Sequence, residues 1–89
     1  MKAPWIESDR ELVLLQYGEA GERTSGYSTV HSSEAGKWVA LDSNSGGYPY
    51  ATEIANAHDF GSVEKAQDYA RHFPGFKVRC VLVTYKVVA

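Results

Sequence analysis

Cysteine is almost missing from this chain: Cys80 is the only one among 89 residues. That excludes an internal disulfide framework and a cysteine zinc cluster, and it suits a reducing compartment. Charge of one sign is missing as well. Nine basic residues stand against eleven acidic ones, a net charge of −2. A general nucleic-acid binder needs a basic face to neutralise phosphates, and a DNA mimic needs dense acidity; this chain has neither. No window approaches the roughly 18 consecutive apolar residues of a membrane helix. The opening Met-Lys-Ala-Pro-Trp-Ile-Glu has no apolar core of signal-peptide length. A soluble, cytoplasmic protein is the expectation. Glycines at 18, 21 and 26 have the wrong spacing for a phosphate loop, and no Lys-Ser/Thr helix start follows them.

What is present is ordinary globular material, 44% apolar and 22% charged. Residues 1–89 form one small domain at most. A chain of this size buries only about 60–65% of the surface its unfolded form exposes, so its core is small. The charge is uneven. Residues 1–36 hold Glu7, Asp9, Glu11, Glu19, Glu22 and Glu34 against Lys2, Arg10 and Arg23, whereas residues 37–89 are close to neutral.

Residues 1–10 read as an arm anchored by Trp5 and Ile6. Glu11 to Tyr17 is a short apolar run suited to a strand. Gly18 to Gly26 is a polar turn region, and Tyr27 to His31 alternates like a short strand. Lys37 to Asp42 reads as a strand, and Asn44-Ser45-Gly46-Gly47 is a strong turn signal because glycine accepts positive φ. Tyr48 to Glu53 returns as the second arm of a hairpin. Pro49 cannot donate to a ladder and makes that arm an edge strand.

Ser62 to Phe73 carries the clearest helix pattern. Ser62 is a good N-cap, and Glu64 sits near the positive end of the helix dipole. Val63, Ala66, Tyr69, Ala70 and Phe73 share one face, and Pro74-Gly75 ends the helix. Phe76 to Val88 is a long strand. Phe76, Val78, Cys80 and Leu82 are expected inward, with Cys80 a buried structural thiol rather than a nucleophile. Past Cys80 the other face turns apolar too, with Val81, Val83, Tyr85 and Val87. A strand apolar on both faces must be covered on both, which points to the N-terminal segment, a homodimer or a partner over those four residues.

The segment from Asp42 to Glu53 has the Asp, Asn, Gly and Glu spacing of a twelve-residue calcium loop. Pro49 falls where a backbone amide is needed, and the preceding KWVAL reads as a strand. A polar hairpin turn without metal is the reading taken. His58 and Asp59 are adjacent in sequence, which does not ordinarily aim both side chains at one reacting atom. No catalytic residue and no cofactor is expected. Tyr48 and Tyr50 lie two apart on an edge arm, where tyrosines either cover a helix or anchor a protein partner.

The expected fold is α+β, an antiparallel sheet of about four strands with one main helix on one face. The segment SGGYPYATEIANAHDFGSVEKAQDYARHFPG, residues 45–75, resembles a pattern found in small phage- and prophage-encoded proteins. In that pattern a Gly-Tyr-Pro turn leads through Ala57-x-x-Phe60 into Ser62-x-x-x-Ala66 and a short helix. Some such proteins inhibit bacterial defence systems, anti-CRISPR proteins among them. The resemblance implies a non-enzymatic inhibitor that binds a host protein, one that handles nucleic acid, without itself touching nucleic acid or membrane. The surface expected to carry this is Tyr48 and Tyr50 with the acids Glu7, Asp9, Glu11, Glu19 and Glu22. Two alternatives stay open. One is a binder of a nucleotide signal using Arg10, Arg23, Arg71 or Arg79 on phosphates. The other is a small enzyme using His58 or His72.

Overall fold

The computed structural model describes residues 5–24, 28–42 and 47–88, with side chains from residue 9 to residue 84 among them. The described fold is the expected α+β architecture. Strands β1 (Trp5–Tyr17), β2 (Trp38–Asp42), β3 (Tyr48–Thr52) and β4 (Phe76–Val88) form one antiparallel sheet in the order β3-β2-β1-β4. Helix α1 (Val63–Ala70) packs against β1 and β4. No described helix is long and apolar enough to cross a membrane.

The β2–β3 hairpin forms as its sequence indicates. Asp42 lies opposite Tyr48, and the Gly47 amide donates to the Asp42 carbonyl at 2.9 Å. Positions 43–46 of the expected turn lie outside the described residues. β3 takes the sheet edge that Pro49 requires. In α1 the Ser62 hydroxyl accepts from the Lys65 amide at 3.2 Å, capping the first turn. Regular helix ends at Ala70, and a final turn carries the chain to Phe73, whose amide donates to the Ala70 carbonyl. Val63, expected on the inner face, is 41% exposed. It sits at the first position of a two-turn helix, and the inward face begins only at fully buried Ala66.

Val13, Leu15 and Tyr17 of β1, Val39 of β2, Phe76 of β4 and Val30 from the long loop close around Ala66. A run of rings stiffens this core. Phe60 lies 5.4 Å from Tyr69, Tyr69 5.0 Å from Phe73, Phe73 5.2 Å from Phe76, and Phe76 4.7 Å from Tyr17. Such ring pairs add to the gain from area buried. Gly75 lets the loop pass close by: a Cβ there would stand 2.8 Å from the Arg23 carbonyl oxygen. The expected strand at Tyr27–His31 is present, among the described residues, only as an isolated bridge between Arg23 and Thr29.

Two features depart further from the sequence reading. The segment expected as an arm enters the sheet at Trp5, so β1 begins six residues before the apolar run. It pairs with β4 along its whole length, from Trp5 opposite Val88 to Tyr17 opposite Phe76. The N-terminal segment is thus the neighbour of β4 within the sheet, and the side chains of Tyr85 and Val87 lie outside those described. Among the described side chains of β4, Phe76 and Val78 meet the helix-side core. Beyond them Cys80 is exposed and Leu82 is 67% exposed, which corrects the expectation that both point inward. Opposite Cys80 and Leu82 stand Val13 and Glu11, where the core gives out and the ribbon begins.

The second departure is a wedge between β1 and β2. These strands share one register pair, Gln16 opposite Trp38. Beyond it the connector 57–60 enters the gap. The His58 amide donates to the Val39 carbonyl at 3.0 Å, and the Phe60 amide donates to the Val13 carbonyl at 2.9 Å. The connector thus satisfies backbone groups that a neighbouring strand would otherwise meet.

Candidate binding surfaces

The two sheet edges differ in build. β3 is five residues long and broken by Pro49. Tyr48 and Tyr50 are 72% and 47% exposed, so neither is spent on covering the helix. The Tyr69 hydroxyl donates to the Gly47 carbonyl at 3.2 Å and fixes the entrance of this strand to the core. Two phenol rings are thereby presented on anchored backbone, and tyrosine buries much area at low entropic cost on meeting a partner.

The acids do not join them. Asp9 and Glu11 lie on the projecting β1–β4 ribbon, separated from β3 by β2. Asp9 accepts from the Thr84 hydroxyl at 2.7 Å, and Glu11 is exposed. Glu7 stands at the next position of the same face by register, opposite Lys86, and its side chain lies outside those described. Glu19 is exposed in the loop after β1. Glu22 is tied down: it accepts from the Glu19 amide at 2.9 Å and pairs with Lys77 at 2.9 Å. Those two contacts, the amide first, hold its carboxyl below the ordinary value. The sequence-derived set therefore separates into the β3 tyrosines, the ribbon acids and the loop acids.

His58 and Asp59 take separate partners. Asp59 turns into the wedge, where Oδ1 accepts from the amides of Val13 (3.2 Å) and Gly61 (2.9 Å) and Oδ2 meets Arg10 at 3.3 Å. The Gly61 and Val13 amides, in that order, hold its carboxyl low. His58 packs edge-on against Phe60 at 4.6 Å and is otherwise exposed in the connector. Among the described residues no three of His, Cys, Asp and Glu cluster as a metal site. Glu53 sits just beyond the far end of β3 from Asp42. At about 3.3 Å per residue the strand holds these two carboxylates too far apart for one ion.

Clefts open on the surface among the described residues. One of about 280 Å³ is floored by Tyr17, Phe73 and Phe76 and rimmed by His31, Glu34 and Tyr48. Burial, reinforced by Glu34, pushes the Tyr17 hydroxyl up to about 12. A more open one of about 510 Å³ lies beside Lys77 and Arg79. Of Arg10, Arg23, Arg71 and Arg79, Arg79 alone lines either cleft. Arg10 is on Asp59, Arg71 on Asp68 at 3.0 Å, and Arg79 on Gln16 at 3.2 Å.

Sequence reasoning missed the ribbon. The signal was present in the alternation of Glu7, Asp9 and Glu11, which places three acids on one face of an extended chain. No protein-family model matches this sequence, and no curated protein and no solved structure matches it.

Proposed function

We propose that this chain is a non-enzymatic protein-binding module that inhibits a bacterial defence protein, acting in the host cytoplasm as phage-encoded inhibitors do. The observation that carries the reading is the exposure of Tyr48 and Tyr50 on a short, proline-interrupted edge strand. Large aromatics on rigid backbone are the residues that dominate protein interfaces. The proline and the shortness of β3 disfavour added strands there, so the rings, not the backbone, would make the contact. The exposed acids Asp9 and Glu11 on the ribbon would steer approach to a basic, nucleic-acid-handling partner.

The test is capture from host lysate by the wild type beside the Tyr48→Ala/Tyr50→Ala double variant. A protein retained by the first and lost from the second supports the reading, and identical captures refute it. The small-ligand alternative has the 280 Å³ cleft behind it. A molecule retained in native mass spectrometry and lost in Tyr48→Ala would favour that reading instead.

A further inference from the structure

The edge opposite β3 is built in the other way. β4 runs 13 residues with no proline or glycine, and its outer side pairs with no strand among the described residues. Between Cys80 and Tyr85 it carries six uncharged residues, three of them β-branched. Natural sheets blunt exposed edges with short strands, prolines, bulges or charge. The middle of β4 has none of these, while β3 has two.

We propose that β4 pairs antiparallel with β4 of a second copy, across a two-fold axis at Leu82, joining two four-stranded sheets into one. A two-fold interface must be self-complementary, and the length of β4 selects the register. With Leu82 on the axis, all 13 residues pair. Lys77 then meets Val87, Arg79 meets Tyr85, and Lys86 meets Val78, so no basic residue faces another. A slip of one residue would oppose side chains of opposite faces, and a slip of two leaves two residues of each β4 unpaired. The chosen register also sets Leu82, 67% exposed in the single chain, beside its own copy. On the other face it matches half-buried Val81 with Val83. A seam of this length forms on the order of a dozen backbone hydrogen bonds, as many as a typical protein interface carries. It would also brace the β1–β4 ribbon, since a two-stranded ribbon alone is marginal in water. The inference is independent of the target proposed above, because it uses the opposite edge of the sheet.

Two measurements test it. Sedimentation at high micromolar concentration should give twice the 9.8 kDa chain mass for the wild type and the single chain mass for Leu82→Lys. The lysine falls on an exposed position that the fold of one chain does not need. In the second, Cys80→Ser/Leu82→Cys should form a covalent dimer under mild oxidation, while the wild type should not crosslink through Cys80. Residues opposed across an antiparallel seam have Cα atoms about 4.5–5.5 Å apart, within disulfide reach. A monomeric wild type, a dimer that survives Leu82→Lys, or crosslinking of the wild type through Cys80 with none in Cys80→Ser/Leu82→Cys would each overturn the proposal.

Discussion

Replacing Asp59 should cost more stability than its place in a surface connector suggests. Its carboxylate stands in for a missing strand neighbour. Oδ1 accepts from the amide of Val13, a residue only 6% exposed, and from the amide of Gly61, which shapes the turn into α1. In Asp59→Ala the Val13 amide loses its acceptor with little access to water, at a cost of about 1–3 kcal/mol. The Gly61 bond adds about 1 kcal/mol. The Arg10 side chain is 63% exposed, so that ion pair contributes about 0–1 kcal/mol. A loss of about 2–5 kcal/mol is expected, against the about 5–15 kcal/mol that holds a typical domain. Asp59→Asn keeps the Oδ1 acceptor but gives up the charge and the Oδ2 acceptor that Arg10 meets, so it should lose about 1 kcal/mol.

The acid dependence separates this from simple loss of packing. The folded protein holds the Asp59 carboxyl below its ordinary value of 3.8. A carboxylate lowered by folding stabilises above its unfolded value, and the gain is lost as pH falls through the folded value. The wild type should therefore lose its advantage over Asp59→Asn under acid. The assay is urea unfolding followed by circular dichroism from neutral to acid pH, at one fixed protein concentration because association shifts apparent stability. An Asp59→Ala protein as stable as the wild type, or a gap to Asp59→Asn that does not close under acid, would refute the role given to this carboxylate.

Phe73→Ala should destabilise by about 2–4 kcal/mol, below the full range for core Phe→Ala because Phe73 is only half-buried between the rings of Tyr69 and Phe76; thermal melting reads it. Tyr17 should titrate near 12, and stability should fall as pH rises from 10 toward that value, because the folded state holds the proton that the unfolded chain releases; ultraviolet titration beside Tyr17→Phe measures it. Calorimetry should detect no calcium site at Asp42 to Glu53, and a micromolar site abolished by Asp42→Ala would contradict the hairpin geometry. Gly75→Ala should destabilise, since its Cβ would press on the Arg23 carbonyl; a melting point equal to wild type would mean that the loop yields freely.

The hairpin, the capped helix and the long last strand were legible because local chemistry decides them: Pro49 fixes an edge, Ser62 a cap, and Pro74-Gly75 a stop. The ribbon was not, because the apolar run Leu12–Leu15 drew the strand boundary to itself. Pairing with β4 then extended regular structure through Glu7, Ser8 and Asp9, residues with little strand propensity of their own. The inward assignment of Cys80 and Leu82 assumed that period two means burial along the whole strand. It holds only as far as the helix reaches. The wedge was illegible for another reason: nothing in His58-Asp59-Phe60 announces that a connector will replace a strand, since the cue is a distant amide at Val13. The exposed tyrosines could be placed on an edge from sequence, but their separation from the acids depends on strand order, which local pattern does not encode.

The pairing of the first strand with the last also governs the order of assembly. Most of the sheet's mutual contact lies between β1 and β4, the two strands farthest apart along the chain. During synthesis β1 must wait, with Leu12 to Leu15 unsheltered, until Phe76 and its successors have emerged. The β2–β3 hairpin and α1 can form earlier from neighbours alone. Closing so long a loop slows folding more than it weakens the finished fold. The interval before β4 arrives is thus when this chain is most open to aggregation, and a helper that holds the apolar run of β1 would act in that interval.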